Sequence, residues 1–194
     1  MLAQSAAPTA RTIPLASSKM LIEPVPGSPQ KTNSLPMAIA ISPDGRNVAV
    51  VNAGYGTAES KGEQSIAILD AKSHKLLDFP NPHTRQSALQ TLYSGIAFGS
   101  DGQHLYVSIA SLTHPLPDGK NAVGNGILVY RCVDGRVTEE KILPIPLQDL
   151  ADGKRQNRMG AHPLPAGEAN PYPSGLTVVH ERDGDRLLIA DNLS

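Results

Sequence analysis

Residues 36–52 read PMAIAISPDGRNVAVVN, and this stretch decides the fold because two apolar runs flank the dipeptide Asp44-Gly45. An Asp-Gly pair supplies the positive φ that a tight hairpin turn needs at low steric cost. Large and small apolar residues alternate along the first run, with Met37, Ile39 and Ile41 on one face and Ala38 and Ala40 on the other. Since both faces are apolar, we expect a β-hairpin that is covered on both sides.

The same unit occurs twice more, as SGIAFGSDGQHLYVS at 94–108 and SGLTVVHERDGDRLLIADN at 174–192. A different unit follows each of the first two copies, namely SIAILDAKSHKLLDF at 65–79 and GILVYRCVDGRVTEEKIL at 126–143. Each of these reads as strand, polar turn, strand. A hairpin followed by a hairpin makes a four-stranded antiparallel sheet.

Small residues on one face of each hairpin allow neighbouring sheets to approach closely, as stacked blades do in a β-propeller. The sequence therefore predicts an all-β protein, a β-propeller fragment of about two and a half four-stranded antiparallel blades. Blade 1 is expected at about 35–80, blade 2 at about 92–146 and a half blade 3 at about 172–194. Residues 34–194 form the partial propeller in this prediction, and residues 1–33 form a leader or linker.

The spacing of the repeats predicts long loops between the strands. Gly45 and Gly102 are 57 residues apart, and Gly102 and Gly184 are 82 apart. A minimal blade needs about 40–45 residues, so the excess must lie in loops. The expected loops are Gly54–Glu63, Pro80–Leu92, Leu112–Gly124 and Pro144–Pro173.

Composition excludes several classes of protein. The net charge of the 194 residues is −1, which gives no field to attract nucleic acid. No run of 18 apolar residues occurs, so no helical membrane span is expected. The single cysteine, Cys132, lies in an apolar run and is expected to be buried and inert. The small residues of the first eight positions fit either the remnant of a secretory signal peptide or an ordinary disordered leader.

The repeat resembles the YVTN-type (YncE-like) propeller repeat, with a good match at 37–52 and 65–75 and a looser one at 94–108, 126–137 and 174–192. The long loops are more similar to the propeller part of bacterial proteins that join such a propeller to an alkaline-phosphatase-like phosphoesterase domain. This resemblance implies a periplasmic or extracellular protein. It also implies that metal-binding catalytic residues lie beyond residue 194, with no catalytic residue and no cofactor in this segment.

Ring closure sets a further expectation, because propellers have four to eight blades. Two and a half blades cannot close and would leave strand edges and an apolar face open to water. We therefore expect the remaining blades of a longer parent chain as the structural partner, or else assembly of several copies.

The candidate site residues lie in loops and at strand ends. His83, His114 and His162 each adjoin a proline in a loop, so they predict either a shared metal or substrate site or three exposed histidines. Asn52, Ser108 and Asn192 are expected at equivalent positions after the second strand of each hairpin. An Asn there either ends the strand by binding backbone or contributes to a polar ring facing a ligand.

Three functions fit these patterns. The first is a non-catalytic binding or scaffold module for an unknown ligand or protein. The second is a propeller hydrolase, lactonase- or phosphoesterase-like, with its site at the channel mouth. The third is a structural cell-surface repeat protein. Clustered loop histidines and acids would favour the enzyme, whereas an apolar or aromatic patch would favour the binding module.

Overall fold

The structure is a computed structural model that describes residues 12–14, 20–22, 32–33, 35–54, 63–84, 90–118, 123–156 and 164–192. The chain divides into two compact units, residues 1–31 and 32–194. Within the first unit, strand β1 (Thr12–Pro14) pairs antiparallel with β2 (Met20–Ile22). The described residues are otherwise strands and loops, apart from one 3₁₀ turn at Pro82–Thr84.

Two four-stranded sheets form the centre of the second unit. The first sheet consists of β3 (Pro36–Ile41), β4 (Asn47–Asn52), β5 (Ser65–Asp70) and β6 (Leu76–Pro80). The second sheet consists of β7 (Thr91–Phe98), β8 (His104–Ala110), β9 (Gly126–Val133) and β10 (Arg136–Pro144). In both sheets the strands are antiparallel and neighbour one another in chain order. The all-β, antiparallel part of the prediction is therefore confirmed.

Two further strand pairs follow. Strands β11 (Gln148–Asp149) and β12 (Glu168–Ala169) form a short ladder inside the segment predicted as the longest loop. Strands β13 (Pro173–Glu181) and β14 (Gly184–Asp191) form a third hairpin, which corresponds to the first half of each sheet.

The turns explain why these sequences form hairpins. Gly45 and Gly102 have φ values of 70° and 66°. In the second of these turns, the Asp101 carboxylate accepts the backbone N–H groups of Gln103 at 2.8 Å and His104 at 3.0 Å. Such carboxylate-to-backbone hydrogen bonds are why Asp favours turns.

The third hairpin departs from the predicted turn by one residue. Glu181 pairs with Gly184, so the two turn residues are Arg182 and Asp183. Gly184 is the first residue of β14 and has a φ of 133°. Its positive φ is therefore used at the start of the strand rather than inside the turn.

The hydrophobic core lies between the first and second sheets. Residues of both sheets form one buried cluster: Ala49, Val51, Ile66 and Ile68 from the first sheet, and Ile96, Phe98, Leu105 and Val107 among those from the second. The first strands of successive sheets also meet, since β3 contacts β7 and β7 contacts β13. The predicted burial of Cys132 is confirmed, as its side chain lies in the same cluster.

One face of the first hairpin is open, contrary to the prediction that both are covered. Ile39 is 66% exposed and Ile41 is 64% exposed. Their counterparts in the second sheet, Ile96 and Phe98, are each 7% exposed because the first sheet packs on them. Large and small residues do alternate between the two faces, but within residues 32–194 no described sheet covers the outer face of the first hairpin.

Candidate functional site

A pocket of about 420 Å³ lies where the first strands of the three hairpins begin. Its walls come from the start of β3, the start of β7, the segment after β8 and the residue before β13. The lining residues of these four segments include Leu35, Met37, Leu92, Tyr93, Leu112 and Tyr172. The pocket is therefore formed jointly by parts of the chain that are far apart in sequence.

An aromatic pair holds one side of the pocket. The rings of Tyr93 and Tyr172 meet edge to face, with centroids 5.0 Å apart and planes at 74°. Such a pair contributes about 0.5–1.5 kcal/mol beyond its buried area. Beside it, the Ser94 hydroxyl donates to the Ser174 carbonyl at 2.5 Å. These contacts fix the start of the third hairpin against β7.

The rim after β8 is held by hydrogen bonds to Ser111. Its hydroxyl accepts the backbone N–H groups of His114 at 3.1 Å and Thr113 at 3.3 Å. Its own N–H donates to the Asn125 side-chain oxygen at 2.6 Å. Because this turn is tied at both ends, this wall of the pocket is preformed.

Buried side-chain amides join each sheet to the next near this pocket. The Gln64 side-chain oxygen accepts the backbone N–H of Leu92 at 2.5 Å. This hydrogen bond joins the first sheet to the second. The Asn125 amide donates to the Asn170 side chain at 2.9 Å and to the Pro171 carbonyl at 2.8 Å, just before the third hairpin.

Gln64 and Asn125 occupy the same place in their sheets, since each directly precedes the third strand. The Gln64 carbonyl accepts the N–H of Asn81 at 2.9 Å, and the Asn125 carbonyl accepts that of Ile145 at 3.0 Å. Sequence reasoning missed both residues. The available signal was an amide residue immediately before the second hairpin of each repeat.

The lining of the pocket determines what it can bind. Among the residues that the structure describes, leucine, methionine and alanine side chains and two tyrosine rings are accompanied by the hydroxyls of Thr91, Ser111 and Thr113. The described lining contains no Asp, Glu, Lys, Arg or His. Such a surface suits an uncharged, largely apolar ligand, because an ionic group would lose its hydration without gaining a partner.

The predicted histidines are placed as follows. His83 pairs through Nε2 with the Glu139 carboxylate on β10 at 2.7 Å. The His114 ring contacts the Thr113 hydroxyl at 2.9 Å, beside the pocket rim. His162 lies outside the described residues. Within the described ranges, no group of three or more His, Cys, Asp or Glu side chains is placed to hold a metal ion.

The predicted equivalence of Asn52, Ser108 and Asn192 is off by one residue. Asn52 pairs with Pro36 at the start of its hairpin, and Asp191 pairs with Pro173 in the same way. Asn52 also pairs with Ser65, the first residue of β5. In the second sheet Ile109 pairs in the same way with Gly126, the first residue of β9. The equivalent positions are therefore Asn52, Ile109 and Asp191. Each of the three lies seven residues after the turn glycine of its hairpin, which is Gly45, Gly102 or Gly184. Counting from the turn therefore locates them, whereas the polar residue type led to Ser108 and Asn192.

Asn52 is fully buried and donates through its amide to the Ser65 hydroxyl at 3.2 Å. Asn192 has an exposed side chain, and its backbone N–H donates to the Tyr172 carbonyl at 3.1 Å. The Oδ1 atoms of Asn52 and Asp191 are buried and have no hydrogen-bond partner. Burial raises the pKa of the Asp191 carboxyl.

A second cleft, of about 600 Å³, lies at the opposite ends of the strands, among their turns. Its carboxylates already serve those turns. A hydrogen bond from the Ser42 hydroxyl is the main reason that the pKa of Asp44 lies below its usual value. A hydrogen bond from the backbone N–H of Ser73 is the main reason for the lowered pKa of Asp70. These carboxylates stabilise the turns and give no sign of a ligand site.

Comparisons with known proteins add little to this description. No protein-family model and no curated protein matches the chain. Among solved structures, hydrazine synthase of Kuenenia stuttgartiensis is similar with a TM-score of 0.46 and 17% identity. The match covers 79% of this chain and 36% of that chain, so this chain spans about a third of that protein's length. A similarity this low carries no argument about fold or function. In the part of the chain that is described, no helix is long and apolar enough to cross a membrane.

Proposed function

We propose that the sheets are blades of a β-propeller and that this chain is a non-catalytic binding or scaffold module of a secreted or periplasmic bacterial protein. In this proposal the chain is one part of a longer propeller–phosphoesterase protein, and its ligand binds in the pocket lined by Tyr93 and Tyr172. The observation that carries the proposal is that the starts of β3 and β7 and the residue before β13 converge on one pocket whose described lining is uncharged.

The arrangement of the sheets supports the propeller. The first strand of the first sheet contacts that of the second sheet, and that of the second sheet contacts the first strand of the third hairpin. This is expected when innermost strands surround a common axis. Each sheet also presents its strands in chain order from that axis outward. In this proposal the pocket lies at one mouth of the ring, where the innermost strands begin and propeller loops converge.

The lining supports binding rather than chemistry. An aromatic patch is what a binding module needs, and the Tyr93–Tyr172 pair supplies it. The sequence also allowed a propeller hydrolase, but no observation among the described residues favours it. His83 is engaged by Glu139 away from the pocket, and His114 contacts the rim hydroxyl of Thr113.

The proposed site can be tested by nuclear magnetic resonance with small probes. We expect phenol and cyclohexanol to shift the amide signals of Leu92, Tyr93 and Leu112, whereas the anion benzoate should not. Replacing Tyr172→Ala should weaken phenol binding about tenfold, the equivalent of ~1.4 kcal/mol of ring contact.

Val133→Ala is the matched control, because Val133 is an exposed apolar residue that lines the cleft at the opposite strand ends. This variant should bind phenol as the wild type does. Shifts centred on the turn residues around Val133, or equal binding of benzoate, would contradict the assignment of the pocket.

A further inference from the structure

One strand position recurs in the wall of the tyrosine-lined pocket. In each hairpin it is the residue that lies opposite the one eight positions after the turn glycine. The residues at this position, one from each of the three units, are Leu35, Thr91 and Tyr172. All three line the pocket. Equivalent positions of the three units therefore converge there, and they contribute an aliphatic, a hydroxyl and an aromatic side chain.

Two of the three aliphatic hydroxyls in the described lining are used by the rim of the pocket itself. The Ser111 hydroxyl accepts the backbone N–H groups of Thr113 and His114, and it lies 3.3 Å from the Thr113 hydroxyl. The Thr113 hydroxyl in turn lies 2.9 Å from Nδ1 of His114. Both oxygens therefore have partners within the protein and need no ligand to satisfy them.

The Thr91 hydroxyl differs, because it has no hydrogen-bond partner among the residues that the structure describes. Thr91 is half-buried at the start of β7, in the second sheet. The strand β7 has a described neighbour on each side, since it contacts both β3 and β13. The χ1 angle of a threonine in a strand is stiff, so this hydroxyl is held in place before a ligand arrives.

We propose that Thr91 determines the specificity of the pocket by forming a hydrogen bond with the hydroxyl group of an otherwise apolar ligand. The ligand class is then an uncharged alcohol or phenol, whose apolar body packs against Leu35 and Tyr172. A pocket without an available polar group favours the hydrocarbon analogue, because a bound hydroxyl loses its hydrogen bonds with water. A matched hydroxyl in the wall reverses that preference. This inference rests on the proposed function, since it names the ligand class of the same pocket.

Phenol and toluene test the inference, because they differ only by a hydroxyl in place of a methyl group. Titrations of the full 194-residue chain, followed through the amide signals of Leu92 and Leu112, give a dissociation constant for each probe. The wild type should bind phenol more tightly than toluene. Thr91→Val replaces the hydroxyl with a methyl group, so it should weaken phenol binding about fivefold and should not weaken toluene binding.

Further variants separate the loss of the hydroxyl from a general disturbance of the pocket. Thr91→Ser keeps a hydroxyl and should retain the preference for phenol. Thr138→Val is the matched control, because Thr138 is an exposed position of β10 outside the pocket, and both dissociation constants should equal those of the wild type. Circular dichroism checks that each variant is folded, and Thr91→Ala replaces Thr91→Val if that chain does not fold.

Three outcomes would overturn the proposal. If both probes bind and Thr91→Val leaves the ratio of their affinities unchanged, the pocket binds ligands but Thr91 does not determine its specificity. If the preference for phenol is lost in Tyr93→Phe or Thr113→Val and kept in Thr91→Val, another hydroxyl of the wall makes the contact. If neither probe shifts the signals of Leu92 and Leu112, the proposed function fails together with this inference.

Discussion

At the scale of single residues, Asp185 links the third hairpin to the second sheet. Its carboxylate accepts the backbone N–H of Ser100 at 2.7 Å and contacts the His180 ring at 2.9 Å. Hydrogen bonds from Ser100 and His180 lower the pKa of Asp185 to about 2. A carboxyl whose pKa is depressed by folding stabilises the folded state only where it is ionised.

This predicts a pH-dependent effect of Asp185→Asn. Above pH 4 the variant should melt at a lower temperature than the wild type, because the ionised acceptor is lost. As the pH falls from about 4 to 2, the stabilisation from Asp185 is lost in the wild type, so the two melting curves should converge. Asp183→Asn, on the adjacent turn, serves as control. A difference in melting temperature that does not change with pH would contradict the assignment.

Asn125 provides a second prediction at this scale. Its side chain satisfies the Ser111 N–H and the Pro171 carbonyl inside the protein. Asn125→Leu would leave these buried groups unpaired, at a cost of about 1–3 kcal/mol for each. Urea unfolding should show this loss, whereas Gln148→Ala, at an exposed hydrogen bond, should change the free energy of unfolding by less than about 0.5 kcal/mol. Equal effects would mean that Asn125 does not join the sheets.

The candidate site shows what single residues of the sequence could not reveal. The sequence indicates only that an aromatic patch would favour a binding module, because nothing local distinguishes Tyr93 from Tyr106. Their meeting depends on contacts across 79 residues of chain, from Tyr93 to Tyr172. The histidines were singled out for their Pro-rich loops, but loop composition does not specify which loops converge.

At the scale of strands and sheets, Gly95 and Gly175 form a matched pair for testing how the third hairpin packs on the second sheet. A Cβ on Gly95 would be 2.7 Å from Leu176 Cγ and 2.8 Å from the Ser108 hydroxyl. A Cβ on Gly175 would meet only Ala190, at an ordinary 3.5 Å. Gly95→Ala should therefore destabilise the protein by about 1–3 kcal/mol through overpacking.

Gly175→Ala is the control for that measurement, and it should change the free energy of unfolding little. Both variants can be compared by urea denaturation with a common slope. If Gly95→Ala is as stable as Gly175→Ala, the third hairpin does not pack on β7 as described.

The hairpins themselves were predictable because their signals are local. Alternating apolar residues and Asp-Gly dipeptides located the strands of both sheets, and the Asp134-Gly135 turn has φ values of 50° and 70° as a tight hairpin requires. The third turn shifted by one residue because Glu181 pairs with Gly184. The strand-end positions were misplaced at Ser108 and Asn192 because they were matched by polar residue type, whereas a constant spacing of seven residues from the turn glycine gives Asn52, Ile109 and Asp191.

At the scale of the whole molecule, the repeat predicts stacked sheets whose equivalent faces meet in the same way each time. The sequence indicated that both faces of every hairpin are apolar, but it did not indicate which of them are covered. That depends on what packs against each end, and Ile39 and Leu188 remain exposed there.

The central claim is that the second sheet packs between the first sheet and the third hairpin. Nuclear Overhauser contacts on a labelled sample test this order most directly. The account predicts contacts of Gly102 with Pro43 and of Gly135 with the Ile68 methyl group, which join the second sheet to the first. It also predicts contacts of Gly95 with Leu176, which join the third hairpin to the second sheet. Contacts from the third hairpin to Ile39 or Ile41 within a monomeric chain, with none to Gly95, would contradict it.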